Sequence, residues 1–150
     1  MNNLNNNTTS GKIFFLVLSL TLLMGFYFNE DLSGGGTSTD FKNTWQYVLF
    51  LKENFFGYEE IPKMLPLHYF ILANLNIIIP NKDFVRLSFI LASLLVPILF
   101  YLNLKLKFPQ VNKNLLLFLA STIFLFPTFR SSAIWANGHI TAFIFFLAAI

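Results

Sequence analysis

Long apolar runs separated by short polar ones dominate the chain. They are Ile13 to Phe28, Leu65 to Pro80, Phe84 to Leu104, Leu115 to Phe129, and His139 to Ile150. Crossing the hydrocarbon core of a bilayer takes roughly 20 helical residues. Phe84 to Leu104 meets that length, interrupted by Pro97, and Leu115 to Phe129 meets it when counted from near Asn112. Ile13 to Phe28 is apolar except for Ser19 and Thr21 and reads as an uncleaved signal-anchor helix. Phe26, Tyr27 and Phe28 end it where a cleavage site would need small residues. His139 to Ile150 is short for a span and still apolar at its end, so it is expected to open a fourth span, truncated here, in a longer protein. Residues 1–12 are Asn-rich and polar and are expected to form a disordered cytoplasmic tail.

Leu65 to Pro80 is short, and Asn74 and Asn76 interrupt it. Apolar stretches of roughly 10–14 residues are more often interfacial than spanning. The distribution of lysines favours the same reading. Lys12 puts the amino terminus in the cytoplasm, and Lys105, Lys107 and Lys113 share one acid-free loop. All seven acids lie between Glu30 and Asp83. If Leu65 to Pro80 stays on the outer surface, the lysine loop is cytoplasmic, as the positive-inside bias requires.

Ahead of it, Phe41, Trp45, Val48, Leu49, Phe55 and Phe56 follow helical spacing, with Lys42, Gln46 and Glu53 off the stripe. This predicts an amphipathic helix opened by Asp40 as N-cap, after a flexible turn at Gly34-Gly35-Gly36. The predicted architecture is all-α and multi-pass. It has spans at 13–28, 84–104 and 114–129, and an outer loop over 29–83 carrying interfacial helices at about 40–56 and 65–80. A cytoplasmic loop at 105–113, an outer loop at 130–138 and the fourth span from 139 complete it.

Composition agrees. The 150 residues are 55% hydrophobic, 18% aromatic and 11% charged, and 20 of them are phenylalanine. A soluble domain carries roughly 25% charged residues. The absence of cysteine excludes disulfides, thiolate metal sites and cysteine nucleophiles. A net charge of +3 without a basic helix does not point to nucleic acid.

Candidate chemistry concentrates on the outer side. Glu30, Asp31 and Asp40 follow the first helix, and a carboxylate at a membrane surface can deprotonate a hydroxyl or hold a divalent cation. Glu30 and Asp31 equally suit a membrane exit, and Asp40 a cap. Lys63, Lys82, Arg86 and Arg130 fall on the outer side against the usual bias, where they could bind lipid phosphate or snorkel to headgroups. Arg86 and Arg130 could approach one site. His68, on the second amphipathic helix, faces water or headgroups; neither it nor His139 has a second histidine at metal-ligand spacing.

The order of these pieces resembles the amino-terminal part of the GT-C glycosyltransferases, specifically the protein-mannosyltransferase-like (family 39-like) group that uses polyprenyl-phosphate sugars. The matching residues are Asp40 in the outer loop, Pro66-Leu67-His68-Tyr69, Arg86-Leu87-Ser88, and Pro127 through Arg130 to Trp135. The family's His-Pro-Pro-Leu is replaced by Met64-Leu65-Pro66-Leu67, and its Asp-Glu pair by Glu30-Asp31 with Asp40 separate. The resemblance implies an inverting transfer from a polyprenyl-phosphate-linked sugar to a hydroxyl of a lipid, glycan or protein acceptor. It implies Asp40, with Asp31 and Glu30 as alternatives, as the catalytic acid. Arg86, Arg130 and Lys82 would sit on the donor phosphate, His68 and Tyr69 near the acceptor, and a divalent ion such as Mg or Mn could assist. The membrane would be the bacterial inner membrane, or the endoplasmic reticulum in a eukaryote. A lipid or solute transporter, or a non-catalytic membrane subunit whose outer loop docks a partner, are the competing readings; the first is disfavoured because no ionisable residue lies deep in a span.

Overall fold

A computed structural model describes residues 7–53 and 66–150, and all regular structure among them is helical. Phe55, Phe56, Lys63 and the Met64-Leu65 pair lie outside the described residues. The first helix, α1, covers Asn7–Tyr27. It thus begins within the stretch expected to be a disordered tail. Its amino-terminal end packs on α6 (Lys113–Ser121), where the Gly11 N–H donates to Asn114 Oδ1 at 2.7 Å. A Cβ on Gly11 would overlap that side-chain oxygen, so a larger residue there would have to push Asn114 aside and lose the bond. At its other end Asn29 adopts a positive φ of 52°, and the Glu30 N–H reaches back to the Gly25 carbonyl at 2.7 Å. This is the left-handed helix ending that Asn tolerates better than most residues.

α2 runs Gly36–Glu53 and α3 runs Pro66–Ile78. The glycine run does form a turn, with Gly34 and Gly35 at φ 70° and 91°. The helix begins four residues before Asp40, however, so Asp40 is not its cap. The turn folds the chain back so that Asp31 accepts from Ser38 N at 2.8 Å and Ser33 Oγ accepts from Thr37 N at 2.9 Å. Asp31 and Ser33 therefore satisfy the free N–H groups at the start of α2.

α4 (Lys82–Ser93) and α5 (Leu95–Lys107) form one nearly continuous helical rod of 26 residues. Asn81 caps it through Asp83 N at 2.9 Å. The hitch at Leu94 follows from Pro97, which has no N–H for the Ser93 carbonyl. α6 continues as a 3₁₀ turn, Thr122–Leu125, before the chain bends by 70° into α7, Pro127–Ile134. Pro127 holds Phe126 extended and starts a new helix, as proline does at a first helical position. The segment expected as an outer loop, 130–138, is therefore mostly helix, with Phe129, Ser131, Ser132, Ala133 and Ile134 buried. α8 covers Gly138–Ala148 behind an Asn137 cap.

α1 and the α4–α5 rod are long and apolar enough to cross a membrane, and the bent pair is a third candidate. Their outward faces are apolar, with Ile13, Leu16, Val17, Leu20, Leu91, Leu95, Leu102, Leu115 and Leu119 exposed. The core between them is built from Leu22, Val48, Leu72, Val85, Ile90, Phe124 and Ile140. Because Gly11 meets Asn114, Lys12 lies at the same end as Lys105, Lys107 and Lys113. The opposite end gathers the carboxyl end of α1, the start of α4 and the end of α7.

Candidate functional site

That opposite end contains a cavity of about 380 Å³, lined by Asn29, the α2 residues Phe41, Lys42, Trp45 and Gln46, the α4 residues Lys82, Asp83 and Arg86, and Trp135. Helical spacing accounts for each group. Phe41, Lys42, Trp45 and Gln46 share one face of α2, and Lys82, Asp83 and Arg86 share the first turns of α4. Three cations stand there against one carboxylate.

Arg86 is buried at the cavity floor. Its Nε donates to the Ile134 carbonyl at 3.1 Å, and its guanidinium carbon lies 3.9 Å from the centre of the Trp135 ring and 4.8 Å from that of Phe26. Stacking and one hydrogen bond thus fix the side chain. The two outer nitrogens are less well served. Nη1 donates to Asp83 at 3.2 Å and Asn29 Oδ1 at 3.3 Å, and Nη2 donates to the same Asn29 oxygen at 3.4 Å. These are long for charge-assisted bonds, which run to about 2.7–2.9 Å.

Arg130 is the reverse case. Its Nε and Nη2 grip both oxygens of Glu30 at 2.7 Å each. Nη1 donates to Thr21 Oγ1 at 2.7 Å and to the Phe124 carbonyl at 3.4 Å, and Nη2 also reaches the Thr21 carbonyl at 3.2 Å. All its donors are engaged. Arg86 and Arg130 are thus held by the adjacent residues Asn29 and Glu30, but only Arg86 lines the cavity. Two further bonds tie this loop to α7: Trp135 Nε1 donates to the Glu30 carbonyl at 2.9 Å, and Leu32 N donates to Ser131 Oγ at 2.9 Å.

The three outer-loop acids separate. Glu30 is in the ion pair, and Asp31 is the α2 cap. Burial pulls the Asp31 carboxyl up, but hydrogen bonds from Ser33 and Ser38 outweigh it and bring its pKa down to about 2. Asp40 is exposed one position before Phe41, without a hydrogen-bond or ion-pair partner among the described residues. Lys82 lines the cavity and Tyr69 lies half-buried against Tyr47, its ring centre 5.8 Å away. His68 faces neither water nor headgroups. It is buried, with Nδ1 3.0 Å from Thr141 Oγ1 and its ring edge-on to Phe89. Burial lowers its pKa to about 4, against the Ala136 carbonyl and with the aid of His139.

Sequence reasoning did not single out Asn29, Gln46, Asp83 or Trp135 for this site, and used Lys42 and Trp45 only as markers of amphipathicity. The i, i+4 pairs Lys42–Gln46 and Lys82–Arg86 were the available signal. As to metals, no three His, Asp or Glu side chains gather among the described residues, and three cations around one carboxylate make a poor divalent-cation site. No known protein family, curated protein or solved structure matches the chain.

Proposed function

We propose that this chain works in an integral-membrane glycosyltransferase that moves a sugar from a polyprenyl phosphate to an acceptor hydroxyl, with inversion. The observation that carries the reading is the cavity itself. Its cations suit a phosphate, its two indoles and the Asn29 and Gln46 amides suit a sugar, and it lies at one end of apolar helices. In this reading the chain is multi-pass, the lysine-rich end is cytoplasmic and the cavity faces outward. α2 and α3 lie at the outer leaflet of a bacterial inner membrane, or of the endoplasmic reticulum in a eukaryote.

The donor phosphate would rest on Arg86 and Lys82, with Lys42 beside them. The acceptor hydroxyl attacks the anomeric carbon from the face opposite the phosphate, and its proton passes to a carboxylate. Asp40, beside the cavity-lining Phe41 but not itself a lining residue, is the candidate because Glu30, Asp31 and Asp83 already serve other partners. The sugar–phosphate bond breaks as the new bond forms, and polyprenyl phosphate leaves with the electron pair, its charge met by the cations. Arg130 contributes at one remove, by holding Glu30 and hence the Asn29 loop. The transporter reading has the 70° break in its favour, since transporters use broken helices. Every Arg130 donor beside that break is occupied, however, and none is left for a moving substrate.

The test is sugar transfer from a panel of polyprenyl-phosphate sugars by membranes containing the full-length protein. Asp40→Asn is expected to abolish transfer while leaving insertion intact. Arg86→Gln is expected to weaken binding of farnesyl phosphate more than tenfold, the scale of a lost charged hydrogen bond. Full activity in Asp40→Asn removes that residue from the role, and unchanged lipid-phosphate binding in Arg86→Gln removes the cavity from the donor site.

A further inference from the structure

We infer that Asp83 is a displaceable counter-anion, which the phosphate of the lipid donor must exchange for itself on Arg86 and which afterwards helps to expel the phosphate product. The inference rests on the proposed donor site and deepens it. The Arg86–Asp83 pair joins unequal partners: the arginine side chain is 5% exposed and the aspartate 58%. Arg86 is pinned by the Ile134 carbonyl and the Trp135 ring, neither of which involves Asp83. Nη1 can therefore change partners without the guanidinium moving. The Asp83 side chain is also not the cap of its helix. The cap at the start of α4 is made by Asn81, which takes the Asp83 and Phe84 backbone N–H groups at 2.9 and 3.3 Å. The carboxylate can swing away and leave the helix start intact.

The contrast with the neighbouring pair supports an exchangeable contact. Arg130 holds Glu30 with two bonds of 2.7 Å, whereas Arg86 holds Asp83 with one of 3.2 Å. One pair is a clamp and the other is loose. With the cavity empty, Asp83 offsets a buried cation that would otherwise be poorly paired. A sugar-linked phosphodiester carries one negative charge and replaces it evenly. The released phosphate monoester carries nearly two and would be retained, and the returning carboxylate counters that retention.

Trp45 and Trp135 both line the cavity, so the part of the tryptophan fluorescence change that Trp45→Phe removes reads binding there. Full-length protein in detergent is titrated with farnesyl phosphate, with farnesol and with inorganic phosphate. Asp83→Asn and Asp83→Ser are expected to bind farnesyl phosphate about fivefold tighter, the scale of an exposed ion pair. Farnesol binding should not change, and Asp83→Glu should keep the native affinity. In transfer assays Asp83→Asn should lower KM and kcat together. Equal or weaker binding of farnesyl phosphate in both neutral variants overturns the inference, as does equal tightening toward farnesol. A native protein that ignores farnesyl phosphate, or takes inorganic phosphate as well, overturns the donor-site reading and the inference with it.

Discussion

Replacing Glu30 by glutamine tests whether the clamp between the first loop and α7 holds the cavity end together. The substitution keeps shape and removes charge. One amide oxygen can still accept from Arg130, but the amide nitrogen then faces a guanidinium donor, so one of the two 2.7 Å bonds becomes a donor–donor contact. Breaking one side of a fully buried pair costs about 3–5 kcal/mol. The Arg130 and Glu30 side chains are 13% and 24% exposed, so water relieves part of this and about 2–3 kcal/mol is expected. For a chain of this size that lowers Tm by roughly 5–10 °C. Thermal unfolding in detergent, followed by loss of the monodisperse peak in size-exclusion chromatography, measures it. The Glu30→Leu, Arg130→Met double variant, which leaves no unpaired charge, should recover at least half the loss, and the cycle isolates the pair. A Tm within 2 °C of the native protein for Glu30→Gln, where about 5 °C is the least expected, would refute the clamp.

Acid should loosen the α3–α8 contact first. His68 has a folded pKa near 4, below the 6.5 of a free histidine, so the folded state binds fewer protons between those values. Its contribution is complete above pH 6.5 and falls as pH drops, by on the order of 2–3 kcal/mol at pH 4.5. His68→Leu should flatten the Tm-versus-pH curve in that window. Asp31 acts lower: its stabilisation is present above about pH 3.8 and fades as pH falls toward 2. Asp31→Ala should cost about 1 kcal/mol at neutral pH through the lost α2 cap, read as a lower Tm and faster amide exchange in the first turn of that helix.

Much of the scaffold was legible in the chain because apolar length and periodicity answer to simple rules. The helices at Ile13–Phe28 and Phe84–Leu104 were found to within a few residues at most ends, and Pro97 marked the hitch in the second. The first turn of α2 was missed because Asp40 looks like a cap, whereas the true cap reaches across a glycine turn from Asp31. α7 was missed because Pro127 was read inside an apolar run and not as the first residue of a new helix. His68 was expected at the surface, because an amphipathic pattern cannot say which neighbour, here Thr141, covers a polar position. The site was half legible. Arg86 and Lys82 were named from charge placement and line the cavity, whereas Asp40 is not among its lining residues, and the division of labour between Arg86 and Arg130 depends on partners a hundred residues apart.

That separation has a consequence for biogenesis. Glu30 and Thr21 find Arg130 across 100 and 109 positions, and Arg86 waits for Ile134 and Trp135. As the polypeptide emerges from the ribosome, the first loop and the opening of α4 are made before any of these partners exists. The cavity therefore closes only when α7 arrives, and a nascent chain stalled before Phe129 would carry Glu30 without its cation and Arg86 held by Asp83 and Asn29 alone, a plain mark for quality control to recognise.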